Sequence, residues 1–490
     1  RNNNMRTIGT PSTQARKLSA IASGALPNGK AVIVNSDGTV SQVTETSVTQ
    51  ATGSATTFEE STSYARVEMG YDSANEKIVI IYEDIPDSEK GYAIVGTVSG
   101  TSISFGTPVQ FSTAAFDGGS VSFDSTASKV VISYTDKNNS NYGTAIVGTV
   151  SGTSISFGTA VVFNSASTAF IYGAYDSNAN KTVIGYRDNA NAYRGTAIVG
   201  TVSGTSISFG SEVVFNSGTT NDIRIVYHEA DQKLVFCYKD STASSRGTCT
   251  VGTVSGTSIS FGGEYQFETG STSYLQSAYD SINEQILLCY TDASDSNTQK
   301  AVVGNLTGTA ISYGAIVEFD NTIVGQGKKI LFDPAANKFS IFYRDSTNDI
   351  GRIVIGTLAG DVITFDTPFT VITNEANAIF GAYDSANNVN VYAYIDVTES
   401  FKVKAFIFRN SYSASNISAD AFVGISEGGS VADGQSATIG VIGSIVSNQS
   451  GLTAGKKYYV QSDGSFSTTP DSPSVFAGTA ISPNRLIVKS

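Results

Sequence analysis

The chain has 490 residues, with 43 Asp and Glu against 30 Lys and Arg, giving a net charge of −13. That balance repels phosphate backbones and argues against nucleic-acid binding. No apolar run approaches the roughly 20 residues of a membrane-spanning helix, which argues against membrane insertion.

The first 28 residues are polar and basic and lack the apolar core of about 7–15 residues that marks a secretory signal. They read as an anchoring segment. Next, "GKAVIVNSDGTVS" (29–41) gives a strand, an Asp-Gly turn and a returning strand, so 29–50 reads as a β-hairpin lead-in. A matching text, "GKKYYVQSDGSFS", returns at 455–467.

Residues 51–410 are built from one recurring unit. "VGTVSGTSISFG" occurs four times without change, from Val95, Val147, Val199 and Val251. A Tyr-x-Asp signature occurs seven times, from Tyr82/Asp84 to Tyr394/Asp396, at steps of 52, 52, 52, 52, 53 and 51. Each unit reads as four strands. In the copy from Ala169, "AFIYGAYD" is strand A, "KTVIGYRD" strand B, "RGTAIVGTV" strand C and "TSISFGSEVVF" strand D. Gly204 in the two-residue C–D turn supplies the positive φ of a tight primed turn. Val, Ile, Thr, Tyr and Phe dominate the strands, and no helical period competes.

Four-stranded repeats of about 40–50 residues mark β-propellers. The expected fold is all-β, a seven-bladed propeller of 52-residue repeats. An open superhelix is the alternative, and a count of seven favours a closed ring. The last copy supplies strands A to C only, while "GSATTFEE" before the first copy matches a D strand. One blade is therefore expected to join both ends of the chain in a Velcro closure, removing sheet edges that invite aggregation. Residues 411–490 contain further short strands and read as a small C-terminal β module, against which the 29–41 hairpin is expected to pack.

In such a ring the A–B and C–D turns share one face, and the D–A and B–C loops share the other. The turns are uniform, whereas B–C loops such as "KNNSNYG", "NANAYRG" and "STASSRG" differ. Variation on one face of a regular scaffold is where binding resides, although drift in exposed loops produces the same pattern. The candidate glycan contacts are Tyr92, Phe116, Tyr142 and Tyr193 for stacking, and Asn141, Arg194 and Arg246 for hydroxyls. The seven Asp residues closing strand B, and a second series from Asp72 to Asp384, read as Asx-turn formers rather than a cation ring.

No metal site, cofactor or catalytic residue is predicted. His228 is the sole histidine, so no zinc cluster can be assembled. The boxes of sialidase-type propellers need Trp, and the chain has none. Of the three cysteines, Cys237 and Cys289 read as small apolar core residues. Cys249 lies across a hairpin from Cys237, but antiparallel neighbours rarely reach disulfide geometry, so no bond is expected.

The text "GTAIVGTVSGTSISFGTAVVFNS" with "AYDSNANKTVIGYRD" resembles repetitive propeller proteins of marine tailed bacteriophages, over roughly residues 50–410. The closing "GLTAGKKYYVQSDGSFSTTPDSPSVFAGTAISPNRLIVKS" is similar to terminal β modules of phage fibre and head-decoration proteins. The resemblance implies a virion surface protein, a fibre, decoration or receptor-binding component. It would hold other virion proteins through its N-terminal segment and C-terminal module and contact a host glycan or protein through the variable face. A homo-oligomer is a further expectation. The alternatives are a cell-surface propeller of a marine bacterium and, third, a polysaccharide-degrading enzyme.

Overall fold

The computed structural model describes residues 16–60, 66–321, 324–418 and 420–489. Among them the fold is all-β, with one short 3-10 turn at Lys137–Asn139 and no α-helix. The chain divides into two compact units, Thr49–Asn410 and a second made from Arg1–Val48 together with Ser411–Ser490.

The Thr49–Asn410 unit is a series of antiparallel four-stranded repeats. In the third repeat, Lys181–Asp188 lies between the inner strand and Arg194–Ser203, which in turn pairs with Ser206–Phe209. Hydrogen bonding joins the first four repeats into one 16-stranded sheet, because each outer strand runs on into the next inner strand, as in Val161–Asp176. The second strands are apolar on both faces; in Gln285–Asp292 every residue is buried. A strand covered on both sides by neighbouring sheets has no solvated face to mark with alternating polar residues.

Each repeat packs on the next. Val131, Val147 and Phe163 of the second meet Ile184, Tyr186 and Ile198 of the third in one buried cluster. The inner strands neighbour one another in order, and Ala376–Asp384 of the last lies against Val67–Asp72 of the first. There Ile80 and Ile94 share a core with Val391, Val403 and Ile407. On the far side of the last repeat, Ala51–Thr52 and Thr56–Glu59 pair antiparallel with Lys402–Arg409.

The unchanging text has a steric cause. A Cβ placed on Gly106, Gly158 or Gly210 would lie 1.8 Å from the carbonyl oxygen of Thr153, Thr205 or Thr257, in the C–D turn of the following repeat. Gly53 meets Thr101 at the same 1.8 Å. The Gly of "SFG" and the Thr of "SGT" thus face each other across repeat boundaries. Asp366 takes the Gly position in the sixth repeat, and the seventh repeat contributes no C–D turn for it to meet.

Both Asp series are Asx turns. Asp72 Oδ1 accepts from the backbone N–H groups of Ala74 and Asn75, each at 3.0 Å, and Asp188 Oδ1 from those of Ala190 and Asn191 at 3.0 and 3.2 Å. His228 serves in the same way, its Nδ1 accepting from Asp231 N at 3.2 Å. The tyrosines of Tyr-x-Asp are fully buried, including Tyr82, Tyr134, Tyr186 and Tyr238. One expectation fails here: Cys237 and Cys249 are joined in a disulfide. They face each other directly, with Cα atoms 4.1 Å apart. That is the close spacing of a non-hydrogen-bonded antiparallel pair, within sulfur reach. Cys289 is free and buried.

In the second unit, Ala31–Val34 pairs with Val40–Gln42 across the Asp37-Gly38 turn and with Phe422–Glu427 on its other edge. Glu45–Val48 pairs with Tyr412–Ser415. Ala31, Ile33, Phe422, Ile425, Val460 and Leu486 share one core, so segments from before and after the repeats fold together. Of the first 28 residues, to which an anchoring role is assigned, 1–15 lie outside the described residues.

Candidate binding face

The B–C loops begin at the Asp residues that close strand B, such as Asp136, Asp188 and Asp240, and end where the third strand opens. Tyr142, Arg194 and Arg246 are the first residues of that strand in three successive repeats. Asn141 and Tyr193 hold the preceding, left-handed position, with φ of 60° and 61°. Asn141, Tyr193 and Arg246 are exposed, whereas Tyr142 and Arg194 are half-buried. Arg194 donates to Asn191 Oδ1 and Arg246 to Gln266 Oε1, each at 3.3 Å.

Two candidates are held elsewhere. Tyr92 is half-buried and donates its hydroxyl to Asp87 at 2.7 Å, while its ring stacks on Tyr82. That hydrogen bond to a carboxylate pushes the Tyr92 phenol up to about 12. Phe116 is 0% exposed and packs on Phe111 and Tyr134. The segment read as a D–A loop is continuous strand, Val109–Asp124, and its pleat turns Phe116 into the repeat interface. Phe116 is a core residue, not a ligand contact.

A more concentrated site lies where the inner strands begin. Each of six successive pairings slips there by a bulge, for example between Ala169 and Tyr172 and between Asn377 and Phe380. The bulge carries a positive-φ residue at Gly118, Phe170, Asp222, Tyr274, Gly327 and Ala378, with φ of 67°, 51°, 50°, 51°, 120° and 46°. A side chain added at Gly118 would meet nothing within 4 Å, so this position opens into free space. Phe170 and Tyr274 are 40% and 39% exposed. Holding a bulky L-residue at positive φ costs roughly 1–2 kcal/mol, and glycine would avoid the penalty.

Phe170 borders a cavity of about 430 Å³ together with Arg66, Asp117, Arg187, Arg224 and Phe380. Arg187 is its most constrained group. The guanidinium lies 4.6 Å from the centre of the Phe170 ring and 5.4 Å from that of Tyr193. It donates from Nε to Asn189 Oδ1 at 2.7 Å and from Nη1 to Asn221 Oδ1. Burial pulls the Arg187 pKa below its ordinary value. Arg224 lies 5.3 Å from the Tyr172 ring centre and donates to the Ile223 carbonyl at 2.7 Å. Burial pushes the neighbouring Glu68 carboxyl up, with Lys329 and Arg224 opposing. Arg66 is paired with Asp117 at 3.0 Å.

Of the seven sequence candidates, only Tyr193 joins this cluster. Arg187 is the middle residue of Tyr186-Arg187-Asp188. Across the repeats that middle residue runs Glu83, Thr135, Arg187, Lys239, Thr291, Arg344 and Ile395. Such variation inside an otherwise fixed signature was a usable signal. Among the described residues, no group of three or more His, Cys, Asp or Glu is placed to hold a metal ion.

No protein-family model matches the sequence, and no curated protein matches it. Solved structures do resemble it in shape. The BP39L lectin from Burkholderia pseudomallei superposes with a TM-score of 0.54 at 10% identity, covering 71% of this chain and 96% of the lectin. A protein of unknown function from Dyadobacter fermentans gives 0.43 at 9% identity, covering 75% of this chain and 99% of that one. A triple-arginine mutant of AofleA from Arthrobotrys oligospora gives 0.39 at 11% identity, covering 72% and 98%. Only the first likeness is close enough to bear on the fold, and at that identity it speaks of the fold alone.

Chemically, the cavity offers aromatic faces, two carboxylates and fixed guanidinium donors. Such a surface suits a polar, ring-shaped ligand, with apolar faces for stacking and edges for hydrogen bonding.

Proposed function

We propose that Thr49–Asn410 is a seven-bladed β-propeller acting as a non-enzymatic glycan-binding attachment protein. Three observations favour the ring: the sevenfold repeat, the packing of the last inner strand on the first, and the pairing of Thr56–Glu59 with Lys402–Arg409. The similarity in fold to a lectin agrees with glycan binding.

One observation carries the functional reading. Two aromatic residues held at positive φ, Phe170 and Tyr193, flank the same arginine at the edge of an open cavity. The preceding repeat uses Gly118 and Asn141 at these two positions, residue types that adopt positive φ readily. Rings kept at a conformational cost beside a cavity point to a ligand.

The wider setting we propose is a virion surface, with the termini docking to other virion proteins and the repeats facing the host. It rests on the resemblance of the repeat and tail sequences to phage proteins. Mass spectrometry of purified particles would locate the chain, and its absence from them would remove this setting while leaving glycan binding untouched.

The site is tested by installing the neighbouring repeat's residues, Phe170→Gly with Tyr193→Asn. Melting should be unchanged or raised, because strain is relieved, while binding to host surface polysaccharide falls at least tenfold. Undiminished binding would move the site elsewhere.

A further inference from the structure

We infer that the ligand of this cavity is an acidic sugar, whose carboxylate is received by Arg187 and Arg224. The inference deepens the glycan reading and depends on it. Its basis is a charge pattern that the scaffold does not require.

In a chain with 43 acidic and 30 basic residues, three of the described arginines are paired with carboxylates. Arg66 pairs with Asp117 at 3.0 Å, Arg344 with Asp349 and Glu375 at 2.7 and 2.8 Å, and Arg352 with Asp345 at 3.1 Å. Among the described residues, neither Arg187 nor Arg224 has a carboxylate within ion-pair distance; Arg194 and Arg246 share that state, but Arg187 and Arg224 line the cavity. Arg187 is oriented by two neutral amide oxygens and two aromatic rings, a setting that fixes the fork without neutralising it. Arg224 donates one N–H to a main-chain carbonyl, and its Nε is buried with no partner.

A buried donor left without a partner costs on the order of 1–3 kcal/mol, and a desolvated charge without a counter-charge costs more. A bound carboxylate would supply the counter-charge that Arg187 lacks. Within the cavity itself, three arginines face Asp117 and Glu68, leaving a net positive lining in an acidic protein. Glu68 shares its field between Arg224 and Lys329, so it does not neutralise Arg187.

The shape of the donors selects the anion. A guanidinium presents parallel N–H groups in a plane and matches a carboxylate edge to edge. Phe170 and Phe380, on the same lining, supply apolar surface for the sugar ring that bears it. Galacturonate and sialic-acid oligosaccharides have this chemistry. A sulfated sugar shares the charge but not the planar geometry.

The test is calorimetric titration of the full chain with trigalacturonate and sialyllactose. Beside them run their neutral counterparts, carboxyl-reduced trigalacturonate and lactose, and a sulfated galactose oligosaccharide. The expectation is that at least one acidic sugar binds ten-fold or more tighter than its neutral counterpart and tighter than the sulfated one. That preference should shrink in molar salt and disappear in Arg187→Gln and Arg224→Gln variants. Because those variants could lose structure, the salt dependence of the unaltered protein stands as a second reading.

Equal binding of acidic and neutral sugars, or preference for the neutral, overturns the inference and leaves glycan binding intact. Preference for the sulfated sugar overturns the choice of carboxylate. Failure of every sugar, acidic and neutral, overturns the inference together with the glycan reading.

Discussion

Replacing Gly158 with Ala tests the contact that makes the repeats alike. Gly158 is not among the residues at positive φ, so alanine suits its backbone and the penalty is spatial. The new Cβ would lie 1.8 Å from the Thr205 carbonyl oxygen, whereas carbon and oxygen approach to about 3.3 Å. The second and third repeats must therefore separate by roughly 1.5 Å, and a gap of half that already forfeits a quarter or more of each dispersion contact. The interface losing those contacts holds Val131, Val147, Phe163, Ile184, Tyr186 and Ile198. A cost of about 3 kcal/mol, the upper end for overpacking, is expected. At about 2.1 cal/mol/K per residue over a unit of this size, melting should fall by roughly 4 °C in calorimetry. Gly152→Ala is the control: φ is +61°, but nothing lies within 4 Å, so only about 1 kcal/mol of conformational strain is expected. If Gly158→Ala melts no lower than Gly152→Ala, the steric account of the invariant glycine is wrong.

Replacing Cys237 and Cys249 together with Ser should destabilise the repeat unit by about 3 kcal/mol, the loop-closure value for a short span, and reductant should lower the melting temperature of the unaltered protein but not of the variant. Lys328 is buried and donates to Thr291 Oγ1 and Gln299 Oε1, and burial pulls its pKa from 10.5 to about 8. Between those values the unfolded chain binds a proton that the folded chain does not, so stability rises with pH from about 8, by about 1.4 kcal/mol per unit. Cys289, pushed up from 9.0 to about 11, acts with the opposite sign above pH 9. Denaturation between pH 8 and 9 should show the rise, and Lys328→Met should abolish it; a variant with the same slope would refute the assignment.

The sequence is most legible where a conformation is imposed within a few residues. Asp followed by small residues gives the Asx turns, and Gly204, at φ +61°, gives the C–D turn, because both requirements are local. The all-β class follows from the same alternation of turn residues and β-branched runs. Phe116 misleads because the outer strand crosses to the next inner strand without a break, and nothing local marks that continuity. Cys237 and Cys249 mislead because sulfur reach depends on whether a facing pair occupies a narrow or wide site of the ladder, a matter of register. Phe170 is hidden most deeply. "STAFIY" contains no residue type that advertises positive φ, and only alignment with Gly118 in the preceding repeat exposes the bulge it occupies.

The interlock of each "SFG" glycine with the next "SGT" threonine also bears on how the chain finds its fold. Four C–D hairpins are identical in sequence, so a strand that skips one repeat and docks 52 residues further along meets the same side chains. No local energy separates the correct neighbour from the next. The short strand Thr56–Glu59 and its partner Lys402–Arg409 are different: they follow the repeat pattern, but no other copy has their sequence. That pairing is satisfied only when every intervening repeat has been laid down once and in order. Slow refolding with off-register species is therefore the cost of near-identity, and the joining of the two ends acts as the step that counts.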